Sequence, residues 1–147
     1  MAAATIIDGV SLAGAVKDDL VDRIALIDGQ VRLDAVLVGE DQGAVLYADS
    51  QARACEKVGI DYLLHQLPAT ATHAQVEELI IRLNEDSNVT AIMVQMPLPE
   101  CVRTDDIQSL IAPHKDVEGV NPANIGNIVF GRRSLVPCTA LAVMEMI

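Results

Sequence analysis

The sequence predicts an α/β fold, a three-layer sandwich in which a mostly parallel sheet carries helices on both faces. Two observations predict it. Short apolar runs alternate with segments of helical length, and strands joined through helices run parallel and are covered on both sides. The second is the apolar run 89–94, which continues as Gln95-Met96-Pro97-Leu98-Pro99. Proline lacks the backbone donor that a central strand needs, so the chain leaves the sheet here and presents Gln95 at the strand's exit. In parallel α/β sheets that is where ligands bind. On residue type alone, Gln95 serves equally well to satisfy backbone groups at a strand-to-loop junction.

The elements follow in order. Residues 5–7 read as a short strand, followed by Asp8-Gly9 and a helix over 12–27. Residues 32–38 form a second strand and 39–43 a turn. A helix over 44–58 is stopped by Gly59, a usual residue just past a helix end. Residues 60–67 are a third strand. Thr72 caps a helix running to Asn84, with Gln75 at capping-box spacing. Residues 89–95 are the fourth strand, and 104–111 a shorter helix. Past Pro113 the texture changes: 114–131 holds Asn121, Pro122, Asn124 and Asn127 and reads as an ordered loop with one helical turn. Pro137-Cys138-Thr139 then leads into an apolar stretch to Ile147, with Thr139 as helix N-cap and no C-terminal stop signal. The chain is expected to end inside an element, as a fragment of a longer protein would.

Composition narrows the function. At 147 residues the chain suits one domain, and 51% of it is apolar although Tyr47, Tyr62 and Phe130 are the only aromatics. The core is therefore Ala, Val, Leu and Ile. A mean hydropathy of +0.33 points to apolar surface that something else covers. No apolar run reaches membrane-spanning length and no signal-peptide layout opens the chain, so no membrane partner is expected. A net charge of −11 argues against nucleic acid, whose phosphates need a basic surface. Cys55, Cys101 and Cys138 are odd in number and widely spaced, which fits reduced thiols in the cytoplasm. His65, His73 and His114 form no ligand pair at helical spacing and read as surface or loop residues, so no metal is expected.

Two further segments carry candidate chemistry. On the helix over 44–58, Val45, Ala48, Ala52 and Cys55 make a small-residue core stripe, while Ala44, Tyr47 and Gln51 share another face. Tyr47, one turn into that helix, offers a ring to a planar ligand or simply covers the sheet edge. Lys115-Asp116-Val117-Glu118-Gly119 places two carboxylates and an ammonium beside a glycine. A carboxylate there can accept paired N–H donors from a heterocycle while Val117 lines an apolar pocket; a solvated charged turn has the same spacing.

Together these pieces are more specific than any one of them. The chain resembles the N-terminal catalytic domain of the bifunctional methylenetetrahydrofolate dehydrogenase/methenyltetrahydrofolate cyclohydrolase family. The resemblance runs through Ile7-Asp8-Gly9, Val38-Gly39-Glu40-Asp41, Tyr47, Cys55-Glu56-Lys57-Val58-Gly59-Ile60 and Leu83-Asn84. It continues through 94–99, 115–119, Asn121-Pro122-Ala123-Asn124-Ile125-Gly126 and Pro137-Cys138-Thr139, and so covers nearly the whole chain.

The resemblance implies a pterin held in a cleft between this domain and a following dinucleotide-binding domain. Tyr47 would stack on the folate substrate. Glu118, replacing a family aspartate, would bond the pterin's amino group and ring nitrogen, with Val117 and Gly119 beside it in the substrate site. A family lysine one turn after the tyrosine lies near the one-carbon unit and is oriented by the strand-end glutamine, here Gln95. That lysine is the main acid–base group of the cyclohydrolase step, and this chain has Gln51 in its place. An amide neither takes up nor releases a proton near neutral pH. The expected catalytic positions are thus Gln51, Gln95 and Tyr47, with the cyclohydrolase step weakened or lost. Ala44 in place of a serine, and Ala140 and Ala142 in place of a Pro-x-Gly pair, depart from the family pattern as well.

The resemblance further implies NADP or NAD as cofactor of the parent protein, bound by a domain missing from this chain, which has no G-x-G-x-x-G. It implies a homodimeric parent protein. Hydride transfer is not expected of these residues alone. The competing expectations are a non-catalytic domain that binds a folate or another heterocycle, and a scaffold domain.

Overall fold

The computed structural model describes residues 6–132 and 135–147. Helix α1 (Gly9–Ile24) leads into strand β1 (Arg32–Val38), helix α2 (Gln42–Val58) and strand β2 (Asp61–Leu67). Helix α3 (His73–Glu85), strand β3 (Ala91–Val94) and helices α4 (Thr104–Leu110), α5 (Pro122–Val129) and α6 (Cys138–Met146) complete the order. The strands make a parallel sheet ordered β2-β1-β3, as alternating strands and helices require. Arg32 pairs with Asp61 and Val38 with Leu67; on the other side Leu33 pairs with Ala91 and Val36 with Val94. A lone parallel bridge between Ile92 and Asp116 prolongs the sheet past β3.

Alternation along the strands divides the core into two layers. Val36, Val38, Ile92 and Val94 face α3 and α4, where they cluster with Val76, Leu79, Ile80, Leu83, Ile107 and Ile111. Ala35, Leu37 and Met93 point the other way, toward α2, whose buried residues are Ala44, Ala48, Cys55 and Val58. The small-residue stripe of α2 therefore runs through Ala44 instead of Val45 and Ala52, which are half-buried. That rotation turns Tyr47 outward at the edge of the stripe.

Several boundaries differ from expectation for local reasons. Thr5 lies outside the described residues, and Ile6 and Ile7 are exposed and in no strand. Helix α1 starts at Gly9 because Asp8 already caps it, accepting from the Val10 and Ser11 amides at 3.1 Å each. The stretch after Pro113 holds an eight-residue helix instead of one turn. Asn121 accepts from the Ala123 amide and Pro122 occupies the first turn, a start signal that the loop-like composition masks. Thr139 lies inside α6; Pro137 is the N-cap, and its carbonyl takes the Leu141 amide at 3.0 Å.

A buried polar cluster interrupts the α3 face. Asp34 has 0% exposure and accepts from Arg32 Nε at 2.7 Å, while His65 Nε2 stands 2.6 Å from its other oxygen. Arg32 also reaches Asp86 at the end of α3, at 2.9 Å. His65, on β2, is thus the partner of a buried carboxylate on β1 and no isolated surface residue. Among the described residues no helix is long and apolar enough to cross a membrane.

Candidate functional site

The carboxyl ends of β1 and β3 open on a cleft of about 290 Å³. Asp41, Gly43, Ala44 and Tyr47 from the start of α2, Val94, Gln95 and Met96 from the end of β3, and Glu118 line it. Each side chain is there for a local reason. Asp41 caps α2, its carboxylate accepting from the Ala44 amide at 2.9 Å, so the helix begins directly over the end of β1. Tyr47 follows one turn later with 57% of its surface exposed. Gln95 keeps one sheet bond, its amide donating to Val36 O at 2.8 Å, before the prolines turn the chain away.

Gln95 is 3% exposed, and its Nε2 donates to Gln51 Oε1 at 2.6 Å. Gln51 Nε2 in turn lies 2.7 Å from Met93 Sδ. Gln51 is not a lining residue; it stands half-buried against the lining residue Gln95. One uncharged amide, Gln95, thus lines the cleft, and a second, Gln51, is bonded to it from outside the lining.

Glu118 is the one group here with a clearly displaced acidity. Burial pushes its carboxyl up and the nearby Asp116 carboxylate adds to this, with the Val94 backbone opposing. The rest of the Lys115–Gly119 run is structural. Lys115 is 7% exposed and donates to Leu83 O at 3.0 Å and to Asn84 O and Asp86 O at 2.8 Å each, closing the end of α3. Asp116 accepts from the Asn121 amide and from Asn124 Nδ2, both at 2.8 Å, and anchors α5. Val117 does not line the cleft; its carbonyl accepts from Cys138 Sγ at 3.1 Å. Gly119 is needed by the backbone: its φ is +64°, and a Cβ would come within 2.5 Å of the Val136 carbonyl carbon.

The structure therefore brings Tyr47, Gln51, Gln95 and Glu118 together around one cleft and keeps Val117 and Gly119 behind it. Asp41, which sequence reasoning gave no role, joins the lining; its capping position just past β1 was the available signal. Among the described residues no group of three or more His, Cys, Asp or Glu could hold a metal ion. Chemically the cleft offers an exposed ring for a planar ligand, a carboxyl for paired N–H donors and the Gln95 amide, held by Gln51, for a polar group between them.

The family model for the tetrahydrofolate dehydrogenase/cyclohydrolase catalytic domain matches residues 7–118. Bifunctional protein FolD 2 of Geobacter metallireducens is 36% identical over 146 residues, which is 97% of this chain and 51% of the relative. Bifunctional protein FolD of Moorella thermoacetica is 37% identical over 147 residues, 98% of this chain and 52% of the relative. Among solved structures, the bifunctional FolD methylenetetrahydrofolate dehydrogenase/cyclohydrolase of Campylobacter jejuni has a TM-score of 0.96 at 34% identity, covering 98% of this chain and 52% of that one. The Trypanosoma brucei N5,N10-methylenetetrahydrofolate dehydrogenase-cyclohydrolase, complexed with NADP cofactor and inhibitor, has a TM-score of 0.90 at 32% identity, over 99% and 51%. The chain spans about half the length of the relatives it matches.

Proposed function

This chain belongs to the tetrahydrofolate dehydrogenase/cyclohydrolase family, as a match to its catalytic domain, and from that premise we propose that it binds a reduced folate in the cleft between β1 and β3. It would do so as the folate-handling domain of a methylenetetrahydrofolate dehydrogenase/cyclohydrolase-like protein in cytoplasmic one-carbon metabolism. Tyr47 stacks on the pterin, Glu118 accepts the N–H pair of its edge, and Gln95 and Gln51 give polar contact near the one-carbon unit. Val117 and Gly119 contribute by fixing the backbone that carries Glu118. The parent protein is a homodimer in this reading.

One observation carries the finer part of the proposal: the bond between Gln95 Nε2 and Gln51 Oε1 at 2.6 Å. Opening a methenyl bridge with water requires a group that takes up and gives back a proton, and neither amide does so near neutral pH. Lysine cannot stand in from elsewhere. The chain has only Lys17, Lys57 and Lys115; Lys115 is spent on three carbonyls, and Lys57 sits in the last turn of α2. The cyclohydrolase step is therefore weakened or absent. These residues also offer no glycine-rich strand-to-helix turn for a pyrophosphate, so they do not fit NADP or NAD. The cofactor would be held by a domain outside these 147 residues.

The test is hydrolysis of 5,10-methenyltetrahydrofolate, followed by loss of the methenyl absorbance. Gln51→Lys should raise the rate by about 100- to 10,000-fold, the usual worth of an acid–base group. Appreciable hydrolysis by the unaltered protein, abolished by Tyr47→Ala, would refute the weakened-cyclohydrolase reading. The same amide pair also suits a domain that binds folate without turnover. Tetrahydrofolate binding with no recovery of activity in Gln51→Lys would select that second reading.

A further inference from the structure

The lining of the cleft is one-sided in charge. Asp41 and Glu118 contribute carboxyl groups, and no lysine, arginine or histidine lines it with them. Cations of the flanking segments are placed elsewhere. Lys115 is spent on three carbonyls at the end of α3, and Arg53 of α2 lines a separate hollow with Gly59 and Tyr62. Gln95 is neutral, and its Nε2 is given to Gln51 Oε1 at 2.6 Å. The net charge of −11 sets a negative field around the whole site.

Asp41 is the more available of the two carboxyl groups. One of its oxygens accepts from the Ala44 amide at 2.9 Å, and its side chain makes no other bond or ion pair among the described residues. Asp41 is exposed, whereas Glu118 is half-buried. Tyr47 adds a ring with 57% of its surface exposed, and the face of an aromatic ring attracts a cation. The cleft, about 290 Å³ in volume, is comparable in width to the Debye length of about 8 Å at physiological salt. Salt therefore leaves both carboxyl groups within reach of a charge on the ligand.

We propose that the cleft selects a positively charged planar heterocycle over its neutral counterpart, with Asp41 as the specificity-determining residue. Among one-carbon folates the methenyl form has that charge, spread over the two nitrogens that its bridging carbon joins. The methylene form has the same fused rings without the charge. The inference rests on the folate reading above and names the form of folate that this cleft prefers.

Stopped-flow titration tests it, with quenching of tyrosine fluorescence read within seconds of mixing, before the methenyl ligand hydrolyses. The ligands are 5,10-methenyltetrahydrofolate and 5,10-methylenetetrahydrofolate, which share the pterin and the glutamate tail. At low salt the unaltered chain should hold the methenyl form about 5- to 20-fold more tightly, the combined worth of two partly exposed charge pairs. That ratio should shrink toward one at about 1 M salt, where the Debye length is about 3 Å. Asp41→Asn keeps the helix cap, because Asn caps as well as Asp. It should weaken methenyl binding about 2- to 5-fold more than methylene binding. Asp41→Ser, which also caps, replaces it if that variant fails to fold. Equal affinity for the two forms, or a ratio that salt does not change, would overturn the charge selection. Equal losses for both forms in Asp41→Asn would overturn the role of Asp41. Each of these outcomes leaves the folate reading standing. Binding of neither form at millimolar concentration would instead overturn the folate reading, and this inference with it.

Discussion

Glu118 is the residue through which pH reaches the cleft. Its carboxyl is held above the ordinary value of 4.5, first by burial and then by Asp116. Below that value the folded and unfolded chains both carry the proton. As pH rises past it, the unfolded chain releases the proton first, so the folded state loses stability until its own, higher pKa has been passed. Urea midpoints measured across this range should fall with rising pH, and Glu118→Gln should flatten that part of the profile. Tetrahydrofolate affinity should move the opposite way, because only the ionised carboxylate accepts two N–H donors. Asp34 makes a second prediction at this scale. It is fully buried and holds both Arg32 and His65. Asp34→Asn keeps the shape but loses charge-assisted bonds, and should cost about 1–3 kcal/mol in a denaturant titration. Nothing in the order of residues announces this cluster, since Asp34 lies inside an apolar run and His65 is 31 positions away.

Helix ends and turns were the most readable elements. Thr72 and Gln75 form the capping box that their spacing predicts, with the Gln75 amide donating to Thr72 Oγ1 and the Thr72 amide to Gln75 Oε1. Gly59 ends α2 at a φ of +81°. The cap that places the site, Asp41 on α2, obeys the same chemistry. The segment from Lys115 to Pro137 is different, because distant contacts hold it. Gly119 lets Glu118 face the cleft while Val136 crosses directly behind. Gly119→Ala should destabilise the fold by roughly 1–3 kcal/mol, the cost of a side chain in a left-handed conformation, before any displacement of Val136. Gly126, inside α5 with nothing within 4 Å of where a Cβ would stand, is the matched control. Gly126→Ala should be neutral or stabilising by about 0.4–1 kcal/mol. Urea denaturation of the two variants separates them by sign.

Stability is unevenly spread over the whole molecule. The largest cluster joins β1 and β3 to α3 and α4, whereas α1 and α6 contain no buried residue. Val10, Val16 and Val21 on α1 and Leu141, Val143 and Met144 on α6 are exposed. Helices owe most of their stability to the faces they bury. Amide hydrogen exchange should therefore be fastest in α1 and α6 and slowest in β1 and α3. Equal protection throughout would show that α1 and α6 are covered in solution, as in a homodimer.

The order of residues by itself determined the α/β class, the parallel sheet, the exit at Gln95 and the family, because periodicity, proline and capping act over a few positions. It also put Gln51 where an acid–base group is expected, one turn beyond Tyr47. Only the tertiary structure decided that Gln95 bonds Gln51, that Asp41 joins the cleft, that Val117 stays out of it, and that Lys115 is consumed by the end of α3. These are contacts between residues dozens of positions apart, set by how α2 rotates over the sheet and how the 115–119 run crosses it. Local spacing carries the identity of a side chain; which partner neutralises or buries it depends on what packing brings alongside.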